Sequence, residues 1–348
     1  MSNLVLVGCG GIARDGYIPA FAHNSVKNVQ LVDPSPVSAK QAKIDLANLD
    51  ISSDIFPSID RLEEASNDWI VAVPPAALIE VARSIKRNRF KPSRILIEKP
   101  FGVNREDSER ILGLLPVETS LFYMETFLHS NAVKVLETYI CNKELGKVRS
   151  IDLAVKGNYP SELNSGWRGD RRLGGEVLHD WGVHSVGLVS YLNSLIQPAL
   201  KSNLTTAVVL SDWERFGNRT LLTRCKFKVE GYHCDVIIDA GWNLDSLEGR
   251  PDVIVEFDDG TLTLNVEKKG GSSNWVCRKI SKGESSVLAE RSYRKELFVN
   301  GVGRFLNSDR PENFKHAGKF DPWIGLESLS VIDECYSQAR RMKENSSF

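Results

Sequence analysis

Three groups of residues have types and spacings that could carry chemistry. Asp180 and His184 stand four apart in an apolar pattern, and on a helix that spacing puts both side chains on one face. Histidine titrates near neutrality, so His184 could take a hydroxyl proton as hydride leaves a carbon, and return it in the reverse direction. Lys99 ends the apolar run Ile95-Leu96-Ile97 in the tripeptide Glu98-Lys99-Pro100. A lysine at a strand end can aim its ammonium into a cleft, beside a cofactor and a substrate hydroxyl. Gly8-Cys9-Gly10-Gly11-Ile12-Ala13 is a GxGxxA loop, whose small residues serve a tight turn, the close approach of a pyrophosphate and the packing of helix on strand. Each group also has a plainer reading: an Asp/His pair more often serves a surface or a cap, and a glycine loop can be only a turn.

Context lifts the loop above a turn. Asp33 closes the apolar run 29–32 at about the 20-residue distance expected of a ribose-binding acid. A carboxylate there accepts hydrogen bonds from the adenosine ribose and repels the extra phosphate of NADP, so NAD is the favoured cofactor and NADP stays open. Asp33-Pro34-Ser35-Pro36 would also start a helix without any nucleotide.

The elements that must position these residues follow from periodicity. Runs 4–7, 29–32, 70–73, 94–97 and 121–123 read as buried strands, alternating with helical patterns at 12–23, 36–49, 76–88 and 104–115, the last capped by Asn104. Such alternation predicts an α/β fold with a doubly wound parallel sheet. Beyond residue 148 the pattern becomes strands at 148–156, 205–210, 221–229, 234–240, 253–257 and 261–266, with a hairpin turn at Asp258-Asp259-Gly260. Helices at 176–192, 293–306 and 323–341 would cover one face of this mostly antiparallel sheet, and the other face is free for a second subunit. At 348 residues, two domains are expected, 1–122 and 123–348, with the last helix placed to pack back on the first.

Composition narrows the function classes. The chain has 44 basic and 45 acidic residues and no long basic run, which argues against nucleic acid as a partner. Its six cysteines show no CxxC spacing, and His23, His129, His179, His233 and His316 show no ligand spacing, so no metal site is expected and a reduced cytoplasm fits best. The run 4–7 is too short for a signal segment, and no apolar stretch approaches the ~20 residues that cross a bilayer.

Taken together, the GxGxxA loop, Val73-Pro74-Pro75, Glu98-Lys99-Pro100, Leu145-Gly146-Lys147-Val148, Trp167-Arg168 and Gly174-Gly175 leading to Asp180-Trp181-Gly182-Val183-His184 resemble the glucose-fructose oxidoreductase / inositol dehydrogenase / MocA family in order and spacing, over nearly the whole chain. The resemblance implies an N-terminal Rossmann domain and a C-terminal α/β domain with a large, open, mostly antiparallel sheet, paired face to face in homodimers or homotetramers. It implies that Lys99 hydrogen-bonds the reacting oxygen, that Glu98, Val73 and Pro74 lie by the nicotinamide half of the cofactor, that Asp180 positions substrate and that His184 handles the proton. It also implies a Lys99-Pro100 bond that is often cis.

The chain departs from that family at Leu78, where a histidine is common, and in Tyr123-Met124-Glu125-Thr126-Phe127-Leu128-His129, which keeps a histidine but presents Glu125. Glu125 and His129 are therefore taken as substrate-site residues. Trp167-Arg168-Gly169-Asp170-Arg171-Arg172 offers an aromatic face for a sugar ring and three guanidiniums for an anion, pointing to a sugar phosphate, uronate or nucleotide sugar. A solvated loop with internal Asp–Arg pairs accounts for it equally well. The expected activity is hydride transfer between a nicotinamide and a secondary hydroxyl of a sugar or inositol. The alternatives are a redox-neutral NAD-using glycosidase, a non-catalytic sugar-sensing regulator, and a reductase of dihydrodiols or biliverdin.

Overall fold

Short apolar runs set the first sheet. In the computed structural model, which describes residues 3–160, 163, 166–196, 204–242, 250–269, 272–292, 295–308 and 318–345, β1 is Asn3–Val7, β2 Asn28–Val32, β3 Ser52–Phe56, β4 Asp68–Val71, β5 Arg94–Glu98 and β6 Ser120–Met124. All pairings are parallel, in the order β3-β2-β1-β4-β5-β6. That is the doubly wound order, with its switch point beside β1. Four helices connect the strands: α1 at Ile18–His23, continuing a π turn at Ala13–Tyr17, α2 at Pro36–Ala47, α3 at Leu78–Arg87 and α4 at Arg105–Leu114. Ser35 and Asn104 cap α2 and α4, accepting from the backbone N–H three residues on. The Lys99-Pro100 bond is cis.

After β6, α5 (Asn131–Asn142) leads into β7 (Val148–Gly157), and α6 (Val183–Ile196) follows a π turn at Leu178–Gly182. The second sheet is completed by β8 Thr205–Phe216, β9 Arg219–Glu230, β10 Asp235–Trp242, β11 Val253–Phe257, β12 Gly260–Lys269, β13 Ser272–Ser281 and β14 Glu284–Ser292. Its order is β14-β13-β12-β11-β7-β10-β9-β8, antiparallel except where β7 meets β10. Alternation is clear in β11, where Val253, Val255 and Phe257 turn inward, and the Asp258-Asp259 turn joins it to β12 as expected. The α6 helix is buried from Val183 through Asn193, so its first turn is held rigidly.

Of the last two helices, α7 (Lys295–Asn307) returns to the first sheet, and α8 (Pro322–Asn345) packs on α6 and β8 while also touching α4 and β6. Phe298 of α7 lies edge-on to Tyr17 at 5.1 Å, and a Cβ on Gly16 would sit 2.7 Å from the Phe298 ring, so only glycine permits this approach. Arg94 forks onto Asp68 at 2.6 and 2.8 Å and donates to the Phe305 carbonyl at 3.0 Å, closing the end of α7. The Phe320 carbonyl accepts from Tyr123 N at 2.8 Å, and Asp333 of α8 accepts from Arg105 N at 3.0 Å.

Four elements lie outside the expected set. The expected strands omit β3, an edge strand of largely exposed Ser52, Asp54 and Ile55, then β13, which lies between β12 and β14, and the edge strand β14. They also omit α5, although Ser130 caps it and Ala132, Val133, Leu136 and Ile140 form its buried stripe. His316 and the first two residues of the expected 293–306 helix lie outside the described residues. Among those described, no helix is long and apolar enough to cross a membrane, and no cluster could hold a metal ion.

Candidate active site

The glycine loop turns sharply at the end of β1. Gly8 has φ +92°, and a Cβ there would lie 2.4 Å from the Ala72 carbonyl oxygen, so β1 and the end of β4 meet across this residue. Cβ atoms on Gly10 and Gly11 would meet nothing within 4 Å. The open side of Gly10 faces a cleft of about 420 Å³, with Asp33, Val73 and Pro74 also in its walls. Asp33 is fixed by two backbone donors, Cys9 N to Oδ2 and Ser35 N to Oδ1, both at 2.7 Å. Ile12 packs at the start of the following turns, and Ala13 is fully buried. Of the residues expected to hold the adenosine and pyrophosphate, Gly8, Gly10 and Asp33 share one cavity, and Gly11, Ile12 and Ala13 lie outside its walls.

Glu98 is buried deeper along the sheet. Tyr17 donates to its Oε2 at 2.5 Å, while Oε1 has no partner among the described residues. Burial pushes the Glu98 carboxyl up to about 7, opposed by the Tyr17 bond and the Lys99 charge. A buried carboxylate oxygen without a partner can accept from a bound donor. With the open glycine backbone and Asp33, it makes the site a fit for a nicotinamide dinucleotide, whose carboxamide carries such a donor.

Lys99 reaches across to the second sheet's helix. Its Nζ donates to the Asp180 carbonyl oxygen at 3.0 Å. Asp180 sits in the π turn before α6, half-buried, and its Oδ2 accepts from Trp242 Nε1 of β10 at 3.1 Å. One turn on, His184 Nδ1 lies 2.5 Å from Glu125 Oε1, and its ring stacks on Phe127 at 4.3 Å with 9° between planes. Burial, helped by the Lys99 charge, holds His184 below the usual histidine range, while Glu125 opposes both. Lys99 is therefore brought beside Asp180 and His184, from 81 residues before Asp180. Tyr17, Phe127 and Trp242 complete the arrangement; only Phe127 lies in a segment the motifs mark.

Other expected substrate residues are placed differently. Glu125 is wholly enclosed and faces His184. His129 is equally enclosed, beside Phe320 and with Arg304 Nη1 3.3 Å from its Nδ1, so it is sealed from any ligand in the Lys99–His184 cleft. Trp167 and Arg168 form a short 3₁₀ turn in which the guanidinium lies 4.7 Å over the indole. Of the three arginines in that loop, Arg171 is taken by Asp333 and the Val103 carbonyl, and Arg172 by Asp170. The internal Asp–Arg pairing holds for Arg172, and with Arg171 held by Asp333 the loop is not a set of three guanidiniums waiting for an anion.

In sequence, residues 133–199 match the model of the GFO/IDH/MocA C-terminal domain. No curated protein sequence matches the chain. Among solved structures, the 3-ketoreductase KijD10 of Actinomadura kijaniata, in complex with NADP and TDP-benzene, is 14% identical with a TM-score of 0.72, covering 97% of each chain. Aldose-aldose oxidoreductase of Caulobacter crescentus, complexed with glycerol, is 15% identical with a TM-score of 0.72 over 98% of each chain. The transcriptional regulator Gal80p of Kluyveromyces lactis is 12% identical with a TM-score of 0.71, covering 97% of this chain and 92% of that one. These likenesses are of fold, and with the matched domain they bear out the resemblance read from the motifs.

Proposed function

We propose that the chain is an oxidoreductase of the GFO/IDH/MocA type, moving hydride between a nicotinamide cofactor and a secondary hydroxyl or ketone of a sugar or polyol. The observation that carries this reading is the meeting of Lys99 with Asp180 at 3.0 Å, which sets an ammonium from the first sheet one helical turn from the His184 imidazole. KijD10 and the aldose-aldose oxidoreductase support it by fold. The Gal80p likeness favours a sensor, but a sensor has no need for a lysine and an imidazole converging on one cleft.

When bound, the nicotinamide would accept or deliver the hydride. The chain does the rest. Lys99 Nζ donates to the substrate oxygen and is worth most as alkoxide charge develops there. His184 takes the hydroxyl proton in oxidation and gives it back in reduction. Asp180, with one oxygen held by Trp242, offers the other to a neighbouring hydroxyl, and the half-buried Trp181 supplies an apolar face of the kind that packs on sugar rings. Production of NADH or NADPH across sugar phosphates, inositols, uronates and nucleotide sugars tests the reading, and no turnover with any class removes it.

NAD is the cofactor this reading favours, because the fixed Asp33 carboxylate stands in the cleft wall. Asp33→Asn is expected to raise the NADP-to-NAD ratio of kcat/KM about tenfold, the ~1.4 kcal/mol of one like-charge contact near solvent. An unchanged ratio would place cofactor choice elsewhere. Exposed Val209, Val266, Ile280 and Val287 on strands of the second sheet support self-association through that sheet. Sedimentation should then give a mass above one chain's, and a monomer at micromolar concentration would count against it.

A further inference from the structure

We propose that Glu125 is the positioning residue for His184, fixing the imidazole with its proton on Nδ1 so that Nε2 is the nitrogen presented to substrate, and supplying the counter-charge when that nitrogen is protonated. Its catalytic consequence rests on the oxidoreductase reading; the tautomer rests on geometry alone.

Glu125 is fully buried at the end of β6, and its Oε1 sits 2.5 Å from His184 Nδ1 while also accepting from Phe127 N at 3.2 Å. Oε1 already accepts from Phe127 N, so it serves His184 as an acceptor too and Nδ1 is the donor. Phe127 stacked on the imidazole sets the ring plane, leaving Glu125 to set which edge faces inward. The close approach is allowed by Gly187, one turn further on: a Cβ there would be 3.0 Å from Glu125 Cγ and would push α6 away. Asp180 does not compete for this role, because its carboxylate is held by Trp242 and its carbonyl by Lys99.

The groups facing His184 are Glu125 from the segment after β6, Lys99 after β5, and Asp180 on its own turn. In oxidation the substrate O–H bond breaks, its proton goes to Nε2 and the C–H electron pair leaves with the hydride. The resulting imidazolium would stand beside the Lys99 ammonium; Glu125 is the buried anion that makes this tolerable. In reduction the same proton returns to the alkoxide oxygen. Burial and Lys99 depress the histidine, and Glu125 works against them, so removing its charge must lower His184 further.

The test is ¹⁵N NMR of histidine-labelled protein, with His184 assigned by the signal lost in His184→Asn. The wild-type protein should carry the neutral-ring proton on Nδ1. Glu125→Gln keeps an oxygen for that proton and removes the charge, so the tautomer should persist while the His184 midpoint falls. With a turned-over substrate, the acidic limb of kcat/KM for oxidation should move to lower pH, and kcat should drop about 10- to 100-fold, as when a carboxylate orienting a histidine is lost elsewhere. A wild-type proton on Nε2, or an unmoved midpoint in Glu125→Gln, would overturn the proposal. Correct tautomer and shift without any sugar or polyol turnover would instead sink the oxidoreductase reading and leave the Glu125–His184 pairing standing.

Discussion

Lys99→Ala is expected to lower kcat about a thousandfold while nicotinamide dinucleotide binds within about threefold of wild type. The physical ground is the partner Lys99 has. Its Nζ donates to a backbone carbonyl, Asp180 O, at 3.0 Å. A neutral acceptor fixes the ammonium without cancelling its charge, and an ammonium has three donors, so the geometry leaves capacity for a substrate oxygen. The carboxylate of the same residue is turned to Trp242 Nε1. A thousandfold in rate is about 4 kcal/mol, whereas the bridging bond to Asp180 contributes about 1.5–3 kcal/mol. Loss of the bridge alone therefore cannot produce the whole effect. Steady-state kinetics beside a fluorescence titration of NADH separate the two, and near-wild-type kcat in Lys99→Ala would remove the lysine from the chemistry.

How far the sequence reaches depends on whether the information is local. The strands β1, β2, β4, β5 and β6 are legible because each is a short apolar run buried in the parallel sheet, and the helix after Asn104 because its cap lies beside its stripe. Ser52-Ser53-Asp54-Ile55-Phe56 is polar at most positions and becomes a strand by pairing with β2, a tertiary cause that periodicity does not register. The strand β14 fails the same test, and β13 has only the short buried run Trp275-Val276-Cys277 between polar residues, although Lys282 and Gly283 between the two strands both have positive φ, a hairpin turn the dipeptide could have signalled. The helix α5 carried its signal, a capping serine and buried residues at helical spacing.

In the site, the chemistry is local and the partnerships are not. Asp180 and His184 share a helical face by spacing, and Lys99 ends an apolar run. What holds them comes from far along the chain: Glu125 lies 59 residues from His184, Trp242 lies 62 from Asp180, and Asp333, which removes Arg171 from anion binding, lies 162 from it. Glu125 was visible as an unusual residue in the right segment. Only the fold distinguishes a residue that touches substrate from one that touches the residue that does.

The glycine loop allows fold and function to be separated by two substitutions two residues apart. Gly8→Ala is expected to destabilise the chain by about 3 kcal/mol, from a left-handed backbone position and an overpacked contact. Its φ is +92°, and the new Cβ would press on Ala72 O at 2.4 Å and Val73 Cγ1 at 2.9 Å. Neither strand can retreat cheaply, since Ala72 N donates to Val7 O at 2.8 Å and Gly8 N to Val32 O at 2.9 Å. Thermal unfolding should show a fall of about 4 °C for a chain of 348 residues. Gly10→Ala should leave the melting temperature within about 2 °C, because its Cβ meets nothing within 4 Å. It should still weaken dinucleotide binding at least about tenfold, because the added methyl projects into the space a pyrophosphate needs against the bare backbone. If Gly10→Ala binds dinucleotide as well as wild type, the open side of the loop is an empty turn and the cofactor assignment falls with it; if Gly8→Ala melts unchanged, the contact between β1 and β4 is looser than its geometry states.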